Sequence, residues 1–293
     1  MKLRPEDCLP VDAERAMLVG RAWVPGDHPG PSPVIIRGAD VVDISDTFPT
    51  MSELLNTESI ESKMDDLNGT KIGVIDSLLE NSAWHSQDKK HPYLLAPVDL
   101  QAVKACGVTF AQSMLERVIE ERAKGDPSAA QGIRNDIQKV IGLDLESIIP
   151  GSSEAEQLKE VLIKKDMWSQ YLEVGIGPDA EVFTKAQPMS AMGIGAQIGI
   201  LEKSEWNNPE PEITLAVNAR GKILGATLGN DVNLRDIEGR SALLLGKAKD
   251  NNASAAIGPF IRLFDENFSW PQAGLFYCPP LSNETPKKTS TES

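Results

Sequence analysis

Two spacings of apolar residues divide this chain. Near the N-terminus they come as short runs, Met17–Val24, Val34–Ile36 and Val41–Ile44, with Pro25, Pro29, Pro31 and Pro33 punctuating the first gap. Apolar runs bounded by proline read as strands. Residues 1–93 are therefore expected to form a small β-rich N-terminal domain. Residues 78–92 are polar and read as a loop, and a boundary falls near Leu94–Pro97.

From residue 98 to 170 the spacing is helical. Thr109 and Gln112 make a capping box, and Phe110, Met114, Leu115, Val118 and Ile119 form one stripe ending at Gly125. A second helix is expected over Ile133–Ile141, and a third over Glu154–Lys165 with Ser153 as its cap. Beyond Leu172 short strands return: Glu181–Thr184, Gln197–Glu202, Ile213–Val217, Lys222–Leu228 and Ile257–Phe264. Asn218-Ala219-Arg220-Gly221 stands between two of these as a hairpin turn would. Residues 271–293 are rich in Pro, Ser and Thr and are expected to be a disordered tail.

Composition narrows the function classes. A length of 293 residues suggests about two domains. With 29 basic against 43 acidic residues the formal charge is −14. That balance argues against a phosphate-backbone binder, so no nucleic-acid partner is expected. Cys8, Cys106 and Cys278 are too scattered for a disulfide framework or a thiolate metal site. A reducing, cytoplasmic location is the default. No apolar leader core and no run of about 18 apolar residues is present, so no membrane partner is expected.

The chemistry-bearing candidates lie in the C-terminal half. In Glu210-Pro211-Glu212 the two carboxylates share one strand face. Like charges so close need a neutralising partner, and an oxygen-only set suits Mg²⁺, with Mn²⁺ or Ca²⁺ as alternatives. Taken alone, the tripeptide reads more readily as an exposed acidic edge. Asp231 follows after the hairpin, where the returning strand brings a third carboxylate to the start of the first. Lys249 comes 18 residues later, as a base, an electrostatic clamp or a solvated loop lysine. Gly193-Ile-Gly195-Ala-Gln-Ile-Gly199 lacks dinucleotide-site spacing, and Cys106 reads as packing.

Together these residues resemble the fumarylacetoacetate hydrolase superfamily. The resemblance rests on Glu210-Pro-Glu212-Ile-Thr-Leu-Ala, Asn230-Asp231-Val-Asn-Leu-Arg235-Asp236, Ala248-Lys249 and, upstream, Phe183-Thr184-Lys185-Ala186-Gln187-Pro188, in the family's order over roughly residues 94–265. It implies an α+β, mostly β fold: the family's C-terminal-type mixed β-roll with flanking helices over 94–270. It further implies Glu210, Glu212 and Asp231 as Mg²⁺ ligands, Lys249 beside the substrate, Lys185 and Arg235 as substrate contacts, and a homodimer. Removing one of the three carboxylates is expected to relieve repulsion in the metal-free site and stabilise it slightly.

Two departures refine the expectation. The superfamily's C–C hydrolases carry a His–Glu pair that activates water; the matching stretch here, Gly107 to Glu116, has Ser113 at the histidine position. His28, His85 and His91 all lie elsewhere. Without imidazole the hydrolytic water lacks its base, so negligible acylpyruvate hydrolysis is expected. Glu116 stays a catalytic candidate only for the alternative, a C–C hydrolase. The missing histidine suits the 2-keto-3-deoxy-pentonate dehydratases, which WSQYLEVGIGPDAEVFTK and LLLGKAKDNNAS also resemble. That branch implies Mg²⁺-dependent dehydration of a 2-keto-3-deoxy sugar acid to 2,5-dioxopentanoate. Lys249 or Glu181 would remove the C3 proton. The second departure is the text after Asp265–Trp270, which resembles nothing in the family. It implies an incomplete roll and, as a further alternative, an inactive truncated member.

Overall fold

A computed structural model describes residues 3–107, 148–164 and 166–269, with 119, 132 and 135 as single residues between. Its elements in chain order are α1 (Pro5–Cys8), β1 (Leu18–Val24), β2 (Gly30–Arg37), β3 (Asp40–Asp43), α2 (Met51–Asn56), β4 (Thr70–Val74), α3 (Ile75–Ser82), β5 (Tyr93–Leu95) and β6 (Val103–Cys106). There follow α4 (Ser153–Lys164), α5 (Gln170–Ile176), β7 (Val182–Ala186), β8 (Asn207–Asn208), β9 (Pro211–Val217), β10 (Ile223–Asp231) and β11 (Asn233–Leu234). The last are α6 (Arg235–Glu238), α7 (Leu245–Lys249) and β12 (Ala255–Leu263). The fold is α+β and mostly β.

An eight-stranded sheet runs β4-β3-β2-β1-β12-β10-β9, with β5 on the same edge of β1 as β12. All its ladders are antiparallel. This sheet crosses the division expected at residue 93/94. Its strands are apolar on both faces. Val19, Ile35, Val42 and Ile261 pack with Met51, Leu54 and Leu55 of α2, while their neighbours Leu18, Val34, Val41 and Phe260 pack with Ile75, Leu78 and Leu79 of α3. Burial of both faces explains why these strands read as continuous runs rather than alternating ones.

The chain divides into two compact units. Of the described residues, those within 3–102, 186–236 and 249–269 form one unit, which holds the large sheet. Those within 103–185 and 237–248 form the other. In it β6 pairs with β7, and α4 buries Ala155, Leu158 and Leu162 along one stripe.

Several local expectations are corrected. Residues 78–92 are not all loop: α3 occupies 75–82, ending where the Ser82 hydroxyl donates to Leu78 O (2.6 Å) and accepts from Leu94 N (2.8 Å). Asp76, Ser77 and Glu80 form its solvent face, and Ser82 is buried. Pro31 and Pro33 lie inside β2, not between strands. Only from Val34 onward does β3 pair with it, so the prolines sit where a missing N–H is tolerated. The helical reading of 98–170 is interrupted by β6. Gln197–Glu202 is irregular backbone, anchored by Gly199 N to Ala253 O (2.8 Å). A Cβ at Gly199 would fall on Asn252 O, so glycine is what lets these backbones approach. Helix α4 starts one residue early, with Ser152 rather than Ser153 accepting from Ala155 N (3.2 Å). The helices expected over 109–125 and 133–141, and the tail, lie outside the described residues.

A candidate metal centre on the β9–β10 hairpin

The expected hairpin is present. Asn218 N donates to Lys222 O (3.0 Å), and the Asn218 side-chain oxygen accepts from the backbone of Arg220 and Lys222 (both 3.0 Å). Gly221 takes φ +76°, where a side chain is disfavoured. The turn fixes the register: Thr214 faces Thr227, Glu212 faces Gly229 and Pro211 faces Asn230. One step further, Asp231 N donates to Glu210 O (2.9 Å), and Asn230 Oδ1 accepts from Glu210 N (3.0 Å). Glu210, Glu212 and Asp231 therefore come to one end of one face. A carboxylate oxygen from each lies within 4.8 Å of the other two. Asp231 is buried and the two glutamates half-buried.

Three converging anionic oxygens suit a hard divalent cation. The donor set suits Mg²⁺, Mn²⁺ or Ca²⁺ alike.

Lys249 joins the same cluster. It ends α7, and a short turn then starts β12 at Ala255, opposite Asp231. Ser254 Oγ donates to Lys249 O (2.9 Å) and holds that turn. The ammonium, only 4% exposed, donates to Asp231 Oδ2 (2.8 Å) and to Glu210 Oε2. Burial pulls the Lys249 pKa down, but the charges of Glu210 and Asp231 and the hydrogen bonds to them outweigh it, so the net shift is upward. Among the three roles left open for Lys249, the solvated loop lysine is thereby overturned. The expected repulsion in the metal-free site also changes: Lys249 already supplies a positive charge to the carboxylates.

The other site candidates are placed as follows. Glu181 and Lys185 are on or beside β7, two strand repeats apart, and so share a face. Lys185 is 2% exposed. The Glu181 backbone accepts from Gly107 N (2.9 Å), and a Cβ at Gly107 would lie 2.6 Å from Glu181 Oε2. Glycine at 107 thus leaves room for that carboxylate. Arg235 opens α6, and its Nε donates to Asn208 Oδ1 (2.9 Å). Glu116 and Ser113 lie outside the described residues.

The sequence reading missed two supporting side chains. Asn233, fully buried, donates from Nδ2 to Glu210 Oε1 (3.0 Å), and Asn230 fixes the Glu210 backbone. Both were in the quoted motif; only their contacts reveal a role. Groups that orient a ligand typically matter 10–100-fold to metal affinity. Asn233→Ala is therefore expected to weaken Mg²⁺ binding by about 10-fold or more, measured by calorimetric titration.

No family model matches the chain. A probable 2-keto-3-deoxyxylonate dehydratase of Haloferax volcanii is 39% identical over 107 residues, 36% of this chain and 36% of that protein. A 2-dehydro-3-deoxy-D-arabinonate dehydratase of Saccharolobus solfataricus is 41% identical over 86 residues, 29% of each chain. Among solved structures, a 2-keto-3-deoxy-D-arabinonate dehydratase complexed with magnesium and 2,5-dioxopentanoate superposes with TM-score 0.52 at 20% identity, over 84% of this chain and 66% of that one. Its apo form gives TM-score 0.53 at 19% identity over the same shares. The chain thus spans just under two thirds of the solved dehydratases it matches, and the sequence matches reach about a third of the curated relatives. The resemblance read from Glu210, Glu212, Asp231 and Lys249 is borne out as a likeness: the chain has the fold of the solved 2-keto-3-deoxy-D-arabinonate dehydratase and is similar in sequence, over about a third of its length, to two curated 2-keto-3-deoxy-pentonate dehydratases.

Proposed function

We propose that the protein is a Mg²⁺-dependent hydro-lyase that dehydrates a 2-keto-3-deoxy sugar acid to 2,5-dioxopentanoate. The observation that carries the proposal is the convergence of Glu210, Glu212 and Asp231 with Lys249 on one hairpin end. The names of the relatives supply the substrate class. Bound at the three carboxylates, the cation would polarise the 2-keto group and acidify the C3 protons. The chain's own groups then divide the work. Lys249, hydrogen-bonded to Glu210 and Asp231 in the metal-free cluster, would act as an electrostatic clamp beside the reacting oxygens. Glu181 removes the C3 proton, the C4 hydroxyl leaves as water, and the resulting enol isomerises to the aldehyde; Lys185 meets the substrate carboxylate and Arg235 is a further substrate contact. The reading includes a homodimer in the cytoplasm; among the described residues no helix is long and apolar enough to cross a membrane.

The decisive experiment is turnover of 2-keto-3-deoxy-pentonates with and without Mg²⁺, with product identification. A semialdehyde formed only with the cation supports dehydration. Cleavage of an acylpyruvate into two acids would instead establish the hydrolase. Mg²⁺ binding without turnover of either substrate would favour the inactive family member. Glu181→Gln is expected to lower kcat about 10²–10⁴-fold, the usual contribution of a positioned base, while Mg²⁺ affinity stays unchanged.

A further inference from the structure

The carboxylate face of the hairpin does not end at Glu212. Two residues inward on each strand stand Thr214 and Thr227, directly paired across the ladder. Cross-strand partners project to the same side, and alternation puts that side with Glu212 and Asp231. Gly229 confirms it. A Cβ built there, opposite Glu212, would lie 2.2 Å from Thr214 Oγ1, so the Thr214 hydroxyl leans over the bare backbone between the threonine pair and the carboxylates. The Thr227 hydroxyl is buried, 8% of the residue being exposed, and has no hydrogen-bond partner among the described residues. A strand position needing only β-branched packing is served by valine. A buried hydroxyl left unpaired costs free energy, so its presence calls for a partner.

We propose that Thr214 and Thr227 form a hydroxyl-recognition subsite for the distal oxygens of the substrate. The inference rests on the dehydratase reading of the adjoining carboxylates. One strand repeat, about 7 Å, separates the threonine pair from the Glu212 level. A five-carbon acid anchored through C1 and C2 at the carboxylate end extends its C4 and C5 oxygens over Gly229 toward the pair. A hydroxyl both donates and accepts, matching the hydroxyls of a sugar acid and offering nothing to an alkyl chain. Glycine at 229 leaves the Thr214 hydroxyl in place above the strand, since any side chain there would collide with it.

The test uses the whole chain with Mg²⁺ and two ligands: a 2-keto-3-deoxy-pentonate, which carries the distal hydroxyls, and pyruvate, which has the same 2-keto acid head and none of them. Thr227→Val keeps the shape and removes the hydroxyl. It is expected to raise KM for the pentonate about 10-fold, with pyruvate affinity by calorimetry unchanged and kcat altered less than KM. Thr227→Ser should recover most of the loss. Equal loss for both ligands would mean that the variant disturbs the metal cluster, and no loss for either would mean that the hydroxyl is idle; each overturns the inference while the wild type still turns over the pentonate. A wild type that binds neither ligand in the presence of Mg²⁺ would remove the dehydratase reading and this subsite together.

Discussion

Lys249→Met is expected to destabilise the metal-free protein by about 3–5 kcal/mol, the usual cost of removing one partner from a buried ion pair. Methionine preserves the length of the side chain and removes the charge. Asp231, 4% exposed, and the half-buried Glu210 then face one another without the ammonium that bridges them. For a chain of this size such a loss lowers Tm by roughly 10 °C, at 2–4 °C per kcal/mol. The same change should tighten Mg²⁺ binding, because the cation no longer enters a cluster that holds a positive charge. Mg²⁺ would thus raise the Tm of the variant more than that of the wild type. The pH dependence has a defined sign. The folded pKa of Lys249 is raised, so its stabilisation is complete below the unfolded lysine value, near 10.4, and is lost as pH rises through the higher folded value. The stability gap between wild type and variant should hold across neutral pH and close only in strongly alkaline solution. Chemical denaturation with and without Mg²⁺, repeated at pH 7 and above pH 10.4, measures all three effects. A variant as stable as the wild type without metal would show that the cluster needs no counter-charge.

That result bears on what a sequence can disclose about such a site. The carboxylate cluster was legible because it depends on two short-range rules. Residues i and i+2 of a strand share a face, and a tight hairpin returns its second strand to the start of the first. Glu210, Glu212 and Asp231 needed only those rules and a turn signal at Asn218–Gly221. Lys249 was singled out after Asp231 in the sequence, but its contacts were not legible. They depend on β12 pairing with β10 so that Ala255 stands opposite Asp231, a long-range register that no local pattern encodes. The same limit hid Asn233, whose side chain becomes a support for Glu210 only once β11 has turned beside β8. Helix α2 escaped for a different reason. It is six residues long, too short for periodicity to register, and its N-terminus is held from a distant loop: both Asp99 carboxylate oxygens accept from Met51 N (2.6 Å) and Ser52 N (3.1 Å). Conversely, Gln197–Glu202 has the apolar content of a strand, yet among the described residues no strand pairs with it.

Asp231→Asn should abolish Mg²⁺-dependent turnover and weaken Mg²⁺ binding on the order of 100-fold or more, beyond the range seen for groups that merely orient a ligand. The more discriminating outcome is the stability of the metal-free form. If the three carboxylates only repelled one another, deleting one charge would stabilise the protein. With Lys249 hydrogen-bonded to Asp231 at 2.8 Å, the substitution instead takes a counter-charge from a buried ammonium and leaves it a weaker, neutral acceptor. The metal-free variant should lose about 1–3 kcal/mol, the cost of leaving a buried polar partner poorly satisfied. Combining the two substitutions separates pairing from repulsion. In Asp231→Asn/Lys249→Met neither charge of that pair remains. The double variant should therefore be less destabilised than the sum of the singles by about 1 kcal/mol or more, within the range found for residues in contact. Additive losses would place Lys249 and Asp231 in separate roles. A metal-free Asp231→Asn protein that melts above the wild type would show that repulsion, and not the lysine bridge, governs the cluster before the cation arrives.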